Sequence, residues 1–240
     1  MTQRVYAQDP YLSEFETRIT MVTPGALVLE KTIFYPLGGG QASDTGTIEK
    51  DGIAYKVTGV ASDKGALLHH VEGGTGPFAV GDTVRLTLDW DARYAMMKYH
   101  TALHILSQAA HSLYGAATTG NDISPERARI DMSFEELTPE MVASLESETN
   151  RHIASGADVV VETFPREEAE RMVNPEKTRL ELIPASITSI RLVRVGDIDT
   201  DACGGTHVRN TREIGGIKIV GTKNKGKNRK RMEIRLVESL

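Results

Sequence analysis

Apolar and polar residues alternate in short runs over the first ninety positions and then give way, at Trp90, to a helical repeat. Thr17–Val22 and Ala26–Lys31 are β-rich runs separated by Thr23-Pro24-Gly25, a turn sequence. Gly46–Glu49 and Ile53–Val60 flank Lys50-Asp51-Gly52, whose Asp-Gly pair favours a tight hairpin. Ala66–Val71 and Thr83–Leu88 complete a series of closely spaced strands, which predicts a small barrel or sandwich. Between the early strands, Gly38-Gly39-Gly40-Gln41 frees the backbone for positive φ or for close approach to another group.

From Asp91 to Leu113 the chain has no Gly or Pro, and Ala, Met, Leu and Ile recur at helical spacing. Gly115 follows in a C′ position. Thr138 as N-cap, Pro139 at N1 and Gly156 after Ser155 bracket a second helix. Asp158–Phe164 reads as a buried strand, Arg166–Met172 as a short helix, and Ser189–Val195, Ile214–Val220 and Met232–Glu238 as strands. The expected fold class is α+β: an all-β module over residues 1–90, then an α+β domain over 91–240.

Composition changes this picture in two places. One Cys in 240 residues excludes an intramolecular disulfide, and with it a cystine-stapled secreted scaffold. The region Met1–Thr20 lacks the apolar run of a signal peptide, and no stretch approaches a membrane span, so the reading is soluble and cytoplasmic, with no membrane partner. The formal net charge of -5 argues weakly against nucleic acid. It hides an asymmetry: Lys218–Arg235 carries 8 Lys/Arg against Glu233 alone (+7), leaving -12 elsewhere.

Two spacings carry candidate chemistry. His100 and His104, at i and i+4, project from one helical face about one turn apart, a geometry that grips a metal ion. Cys203 and His207 are separated by Gly204-Gly205-Thr206, a turn that brings thiolate and imidazole to one side. The plain alternative makes Cys203 a small buried residue and His207 a solvated strand end. Three imidazoles and one thiolate suit Zn²⁺ better than Mg²⁺ or Ca²⁺, which take oxygen ligands. A single thiolate leans toward a catalytic site, with one of the four residues a candidate for a place just outside the ligand shell. His69, His70, His111 and His152 lack such partners and read as ordinary histidines.

His100-Thr101-Ala102-Leu103-His104 and Cys203-Gly204-Gly205-Thr206-His207 resemble the HxxxH and CxxxH motifs of the alanyl-tRNA synthetase editing domain and its free-standing relatives, the alanyl-tRNA trans-editing (AlaX) proteins. Phe34–Gln41 with Asp44-Thr45-Gly46 is similar to the glycine-rich motif of that family's β-barrel module. Arg129-Ile130-Asp131 and Asn224–Glu233 are similar to further segments. The resemblance spans nearly the whole chain, and the length fits the intermediate-size members, which have the barrel but no further C-terminal domain. Leu103 stands where many synthetase editing domains have Thr, and Thr118-Thr119-Gly120-Asn121 where bacterial ones carry a Gln.

The resemblance implies a zinc-dependent hydrolase, with one Zn²⁺ on His100, His104, Cys203 and His207, clearing tRNA(Ala) mischarged with serine, with glycine as a second candidate. No nucleotide cofactor is expected. The zinc would activate a water, polarise the ester carbonyl or orient the aminoacyl group. An apolar synthetic pocket rejects an added hydroxyl only by roughly 10²-fold, whereas a site that must hydrogen-bond that hydroxyl can refuse alanine. Thr101 and Gly38, Gly39, Gly40 and Gln41 are the candidates for that contact, although a helical Thr101 can equally bond its own backbone. Lys223, Lys225, Lys227, Arg229, Lys230 and Arg231, around a hairpin turn at Gly226, are the candidates for phosphate contact. The competing readings are a zinc-stabilised RNA-binding module without turnover and an editor of another misacylated tRNA.

Overall fold

The structure, a computed structural model, describes residues 2–178 and 180–238. The chain divides into two compact units, Met1–Met96 and Met97–Leu240, so the division falls inside the first long helix rather than at its start. In the first unit the strands are β1 (Gln3–Arg4), β2 (Glu14–Thr23), β3 (Ala26–Leu29), β4 (Lys31–Thr32), β5 (Gly46–Lys50), β6 (Ile53–Asp63), β7 (Ala66–Val71) and β8 (Thr83–Leu88). Six of them close a barrel in the order β2-β3-β7-β6-β5-β8, so of the two expected architectures the barrel is the one formed. Closure leaves no open sheet edge.

Period-two patterning fills that barrel. In β8, Val84, Leu86 and Leu88 are buried while Thr83 and Arg85 face out. They meet Ile19, Leu27, Leu29, Ile48, Val57 and Leu67 in one apolar cluster. Gly46 sits where β5 meets β8: a Cβ there would lie 2.1 Å from the Thr87 carbonyl oxygen. The triple glycine has a local cause as well. Gly38 and Gln41 exchange backbone hydrogen bonds across a turn whose central residues, Gly39 and Gly40, have φ of 59° and 79°. Positive φ at both central positions is the signature of a type I′ turn.

The second unit holds most of α1 (Trp90–Tyr114), then β9 (Thr118–Ser124), β10 (Arg127–Met132), α2 (Pro139–Ala154), β11 (Val159–Pro165), α3 (Arg166–Met172), β12 (Ser189–Val195), β13 (Asp199–Ala202), β14 (Gly216–Asn224) and β15 (Lys230–Val237). β14-β15-β10-β9 form one antiparallel sheet and β11-β12-β13 another. Helix α2 is secured against β14 by buried Asn150, which donates to the Ile217 carbonyl (2.9 Å) and accepts from its N–H (2.8 Å). Thr138 caps α2 through Met141 N, with Pro139 at N1 and Gly156 at φ 73°, as the sequence predicts.

Two expectations are corrected. The strand expected to be buried at Asp158–Phe164 is β11, at the edge of its sheet beside β12, and its side chains are exposed or half-buried. Ile214 belongs to a 3₁₀ turn, Thr211–Ile214, that ends at Gly215 with φ 81°, so the following strand starts at Gly216. Among the described residues no helix is long and apolar enough to cross a membrane.

Candidate metal centre

Helix α1 is buried around most of its circumference from Met96 to Ala110, which explains its unbroken run of helix-compatible apolar residues. On this rigid element His100 and His104 sit one turn apart, both buried, with ring centroids 5.6 Å apart. β13 and the loop that follows it deliver Cys203 and His207. Cys203 Sγ lies 3.4 Å from both His100 Nε2 and His207 Nε2. The donor atoms of His100, His104, Cys203 and His207 all lie within 4.8 Å of one another, forming a group that could hold a metal ion. The four residues singled out by spacing therefore converge in space.

Partners outside the group hold His207, His104 and Cys203. Thr101, fully buried, donates to the Met97 carbonyl at 3.1 Å. Its oxygen then accepts from His207 Nδ1–H (3.1 Å) and from the Val208 N–H (3.3 Å). One donor and two acceptor positions exhaust a hydroxyl. Thr101 thus orients His207 and leaves its Nε2 turned to the group. His104 donates through Nδ1 to Asp199 Oδ2 at 3.0 Å. The Gly205 N–H points at Cys203 Sγ (3.3 Å), an approach that the glycine turn allows.

Electrostatics follow from this crowding. Burial opposes ionisation of Cys203, yet the imidazoles of His100 and His207 outweigh it and hold the thiol well below its ordinary range. Burial, with His100 alongside, pushes His207 down to about 3. Burial also opposes a proton on His104, but its bond to Asp199 and the adjacent Cys203 raise it well above its ordinary value. A ready thiolate among imidazole nitrogens is the donor set that Zn²⁺ prefers.

A cavity of about 610 Å³ lies in the same unit, bounded by 117–121, 176–178, Leu180, Leu182, Ile183, Asp201 and Ala202. Thr118-Thr119-Gly120-Asn121 thus forms one of its walls. Its size lies within the about 300–1,000 Å³ usual for small-molecule sites. Sequence reasoning missed Asp199, Asp201, Lys177 and Gln108. The available signal was the Asp199-Thr200-Asp201 pair just before Cys203; nothing local marks Lys177.

The basic residues lie where β14 and β15 join. Lys223, Lys225, Lys227 and Arg229 are exposed, and Lys230 and Arg231 half-buried, around a turn in which Lys225 N–H bonds to the Arg229 carbonyl (3.0 Å). Arg229 and Arg231 both bond to buried Asp131, at 2.8 and 2.6 Å. A smaller cavity, about 270 Å³, is lined by Arg129, Gly221, Thr222, Lys223, Arg231 and Glu233. Gly38, Gly39, Gly40 and Gln41 belong to the barrel unit, where Gln41 is buried.

Fold and donor set together define a two-unit α+β protein with a histidine and cysteine group that could hold a metal ion. Residues 5–92 match the family model described as tRNA synthetases class II (A), and 190–236 match the threonyl and alanyl tRNA synthetase second additional domain. The alanyl-tRNA editing protein AlaX-M of Methanosarcina mazei is 39% identical over 99% of this chain and 98% of its own. AlaX-M of Saccharolobus solfataricus is 39% identical, with 97% and 98% covered. The alanine–tRNA ligase of Methanothrix thermoacetophila is 38% identical over 92% of this chain but only 24% of the ligase. The chain belongs to the alanyl-tRNA editing protein family.

Proposed function

We propose that this protein hydrolyses, in trans, the ester of mischarged tRNA(Ala), with serine as the principal amino acid removed and glycine as a second. The observation that supports this most directly is the convergence of His100, His104, Cys203 and His207, from two ends of the unit, beside an open cavity. These four residues would hold one Zn²⁺, which when bound supplies Lewis acidity toward an ester carbonyl or a water. The chain's own contribution is to fix the donors: Thr101 sets His207, and Asp199 sets His104. Water adds to the acyl carbon, the 3′ hydroxyl of the tRNA departs, and free amino acid and uncharged tRNA result.

With its hydroxyl filled inside the protein, Thr101 supports this reading as a positioning group, and recognition of the serine hydroxyl passes to other residues. The polar cavity wall at 118–121 is the candidate within the metal-bearing unit, and Gly38–Gln41 remains the candidate from the barrel unit. Lys223, Lys225, Lys227, Arg229, Lys230 and Arg231 would meet acceptor-stem phosphates, giving sequence-independent affinity. Membership of a tRNA-editing family supports a cytoplasmic place of action.

Deacylation of Ser-tRNA(Ala), Gly-tRNA(Ala) and Ala-tRNA(Ala) by zinc-loaded protein, with and without a chelator, tests the proposal. Loss of Ser-tRNA(Ala) with Ala-tRNA(Ala) spared, abolished in Cys203→Ala, is expected. Tight tRNA binding without turnover of any of the three would favour the RNA-binding module instead.

A further inference from the structure

The buried group extends beyond the four metal donors. Asp199 offers Oδ2 to His104 and Oδ1 to the ammonium of Lys177. The Lys177 side chain is only 3% exposed, and Asp199 only 2%. Lys177 also donates to Gln108 Oε1 at 2.7 Å. Gln108 lies one turn beyond His104 on α1, so lysine and carboxylate grip the metal-bearing face of that helix at two successive turns. Lys177 itself is set in a local turn in which Lys177 N–H and Thr178 N–H both bond to the Asn174 carbonyl, at 3.1 and 2.8 Å. Its neighbour Thr178 donates to Asp201 Oδ1 at 2.5 Å. One short segment thereby fastens both carboxylates that precede Cys203.

Stability alone does not account for such an arrangement. A buried ion pair recovers little more than its own desolvation cost, and a well-packed apolar pair of similar volume does as well or better. What the pair does supply is direction. A carboxylate accepting from Nδ1–H fixes the tautomer and the ring plane of an imidazole, leaving Nε2 with its lone pair free to bind metal. Without Lys177, Asp199 would be an uncompensated buried charge, able to turn away from His104. The same logic operates at His207, whose Nδ1 is set by Thr101.

We propose that Asp199 is the positioning residue for His104 in the metal centre, and that Lys177 is the counter-charge that holds Asp199 in that role. The inference rests on the metal reading given above and concerns residues outside the donor set. Lys177 also lines the large cavity, so the wall that a substrate meets and the orientation of a metal donor depend on one side chain.

Zn²⁺ affinity of the full-length protein, measured by competition with a chromophoric chelator, separates the possibilities. The variants are Asp199→Ala, Asp199→Asn and Lys177→Met, and melting temperatures are recorded with and without Zn²⁺. Wild-type protein is expected to bind one Zn²⁺, and Asp199→Ala to bind it about 10- to 100-fold more weakly. Asp199→Asn, whose amide oxygen still accepts from Nδ1–H, retains more affinity than Asp199→Ala, and Lys177→Met falls between wild type and Asp199→Ala. The Zn²⁺-induced rise in melting temperature shrinks in the same order. Wild-type affinity in Asp199→Ala, or variants that melt lower while keeping the full Zn²⁺-induced rise, would show a merely structural pair and overturn the inference. Absence of Zn²⁺ binding by the wild-type protein would instead overturn the metal reading itself.

Discussion

Thr101 Oγ1 lies 3.1 Å from His207 Nδ1 although the two residues are 106 positions apart in the chain. The contact ties the helix that carries His100 and His104 to the loop after Cys203, and it assigns Thr101 a task that its place in the HxxxH segment does not reveal. Thr101→Val keeps the shape but leaves His207 Nδ1–H and the Val208 N–H without their acceptor. Each buried polar group so stranded costs about 1–3 kcal/mol. Urea denaturation is expected to show a loss of that order, together with weaker Zn²⁺ binding, and Thr101→Ser should restore most of both. A Val variant as stable and as tightly metal-binding as wild type would remove the positioning role.

His69 provides a pH-dependent term in the barrel. It is fully buried; its Nδ1–H donates to the Leu27 carbonyl (3.2 Å), and Nε2 accepts from the Thr32 hydroxyl (2.7 Å). Burial pushes its pKa down from 6.5 to about 4. The unfolded chain therefore takes up a proton below about 6.5 and the folded barrel only below about 4. Stability is complete above the first value and declines as the pH falls toward the second, by at most about 3 kcal/mol. Thermal melts between pH 4 and pH 7 should show this slope for wild type and a flatter one for His69→Gln.

Glycine substitutions should sort by what a side chain would meet. At Gly46 an added Cβ would strike the Thr87 carbonyl oxygen in the neighbouring barrel strand, whereas at Gly52, φ 78°, nothing lies within 4 Å. Gly52→Ala is expected to cost about 1 kcal/mol, the left-handed backbone penalty alone. Gly46→Ala should cost several times more, because two backbones must separate. Comparable denaturation midpoints for the two variants would contradict the close packing of β5 on β8.

The basic turn should act through charge. Replacing Lys225 and Lys227 with Ala removes two exposed cations and leaves Asp131 bonded to Arg229 and Arg231. Hydrogen bonds from Arg231 and Arg229 outweigh burial and hold the Asp131 carboxyl at about 2, so this brace stays ionised at any working pH. For each phosphate that these lysines no longer neutralise, the slope of log K against log salt should fall by about 0.9 for duplex RNA treated like B-form DNA. Binding of tRNA measured over a range of KCl concentrations checks this, with Zn²⁺ affinity serving as the unaffected control. An unchanged slope would place the RNA elsewhere.

Much of this was open to reading from local pattern. The barrel strands show period-two alternation, and α2 shows Thr138, Pro139 and Gly156 at its ends, because these signals depend on neighbours a few residues away. β9, with the sequence Thr-Thr-Gly-Asn-Asp-Ile-Ser, buries only Ile123 and offers no alternation to read. β13 is four polar or small residues whose strand conformation comes from pairing with β12. Both are products of pairing, not of propensity.

By itself the sequence determined the α+β class, the order of a strand-rich module before the long helix, the two histidine and cysteine spacings and the basic turn, since each is written within a few residues of itself. Tertiary structure alone decided that His100 and His104 meet Cys203 and His207, that Thr101 turns inward, and that Lys177 and Asp199 join beside His104. A short-range pattern can name a donor, but its orientation is set by partners as far as 106 residues away, and only burial makes those partners necessary.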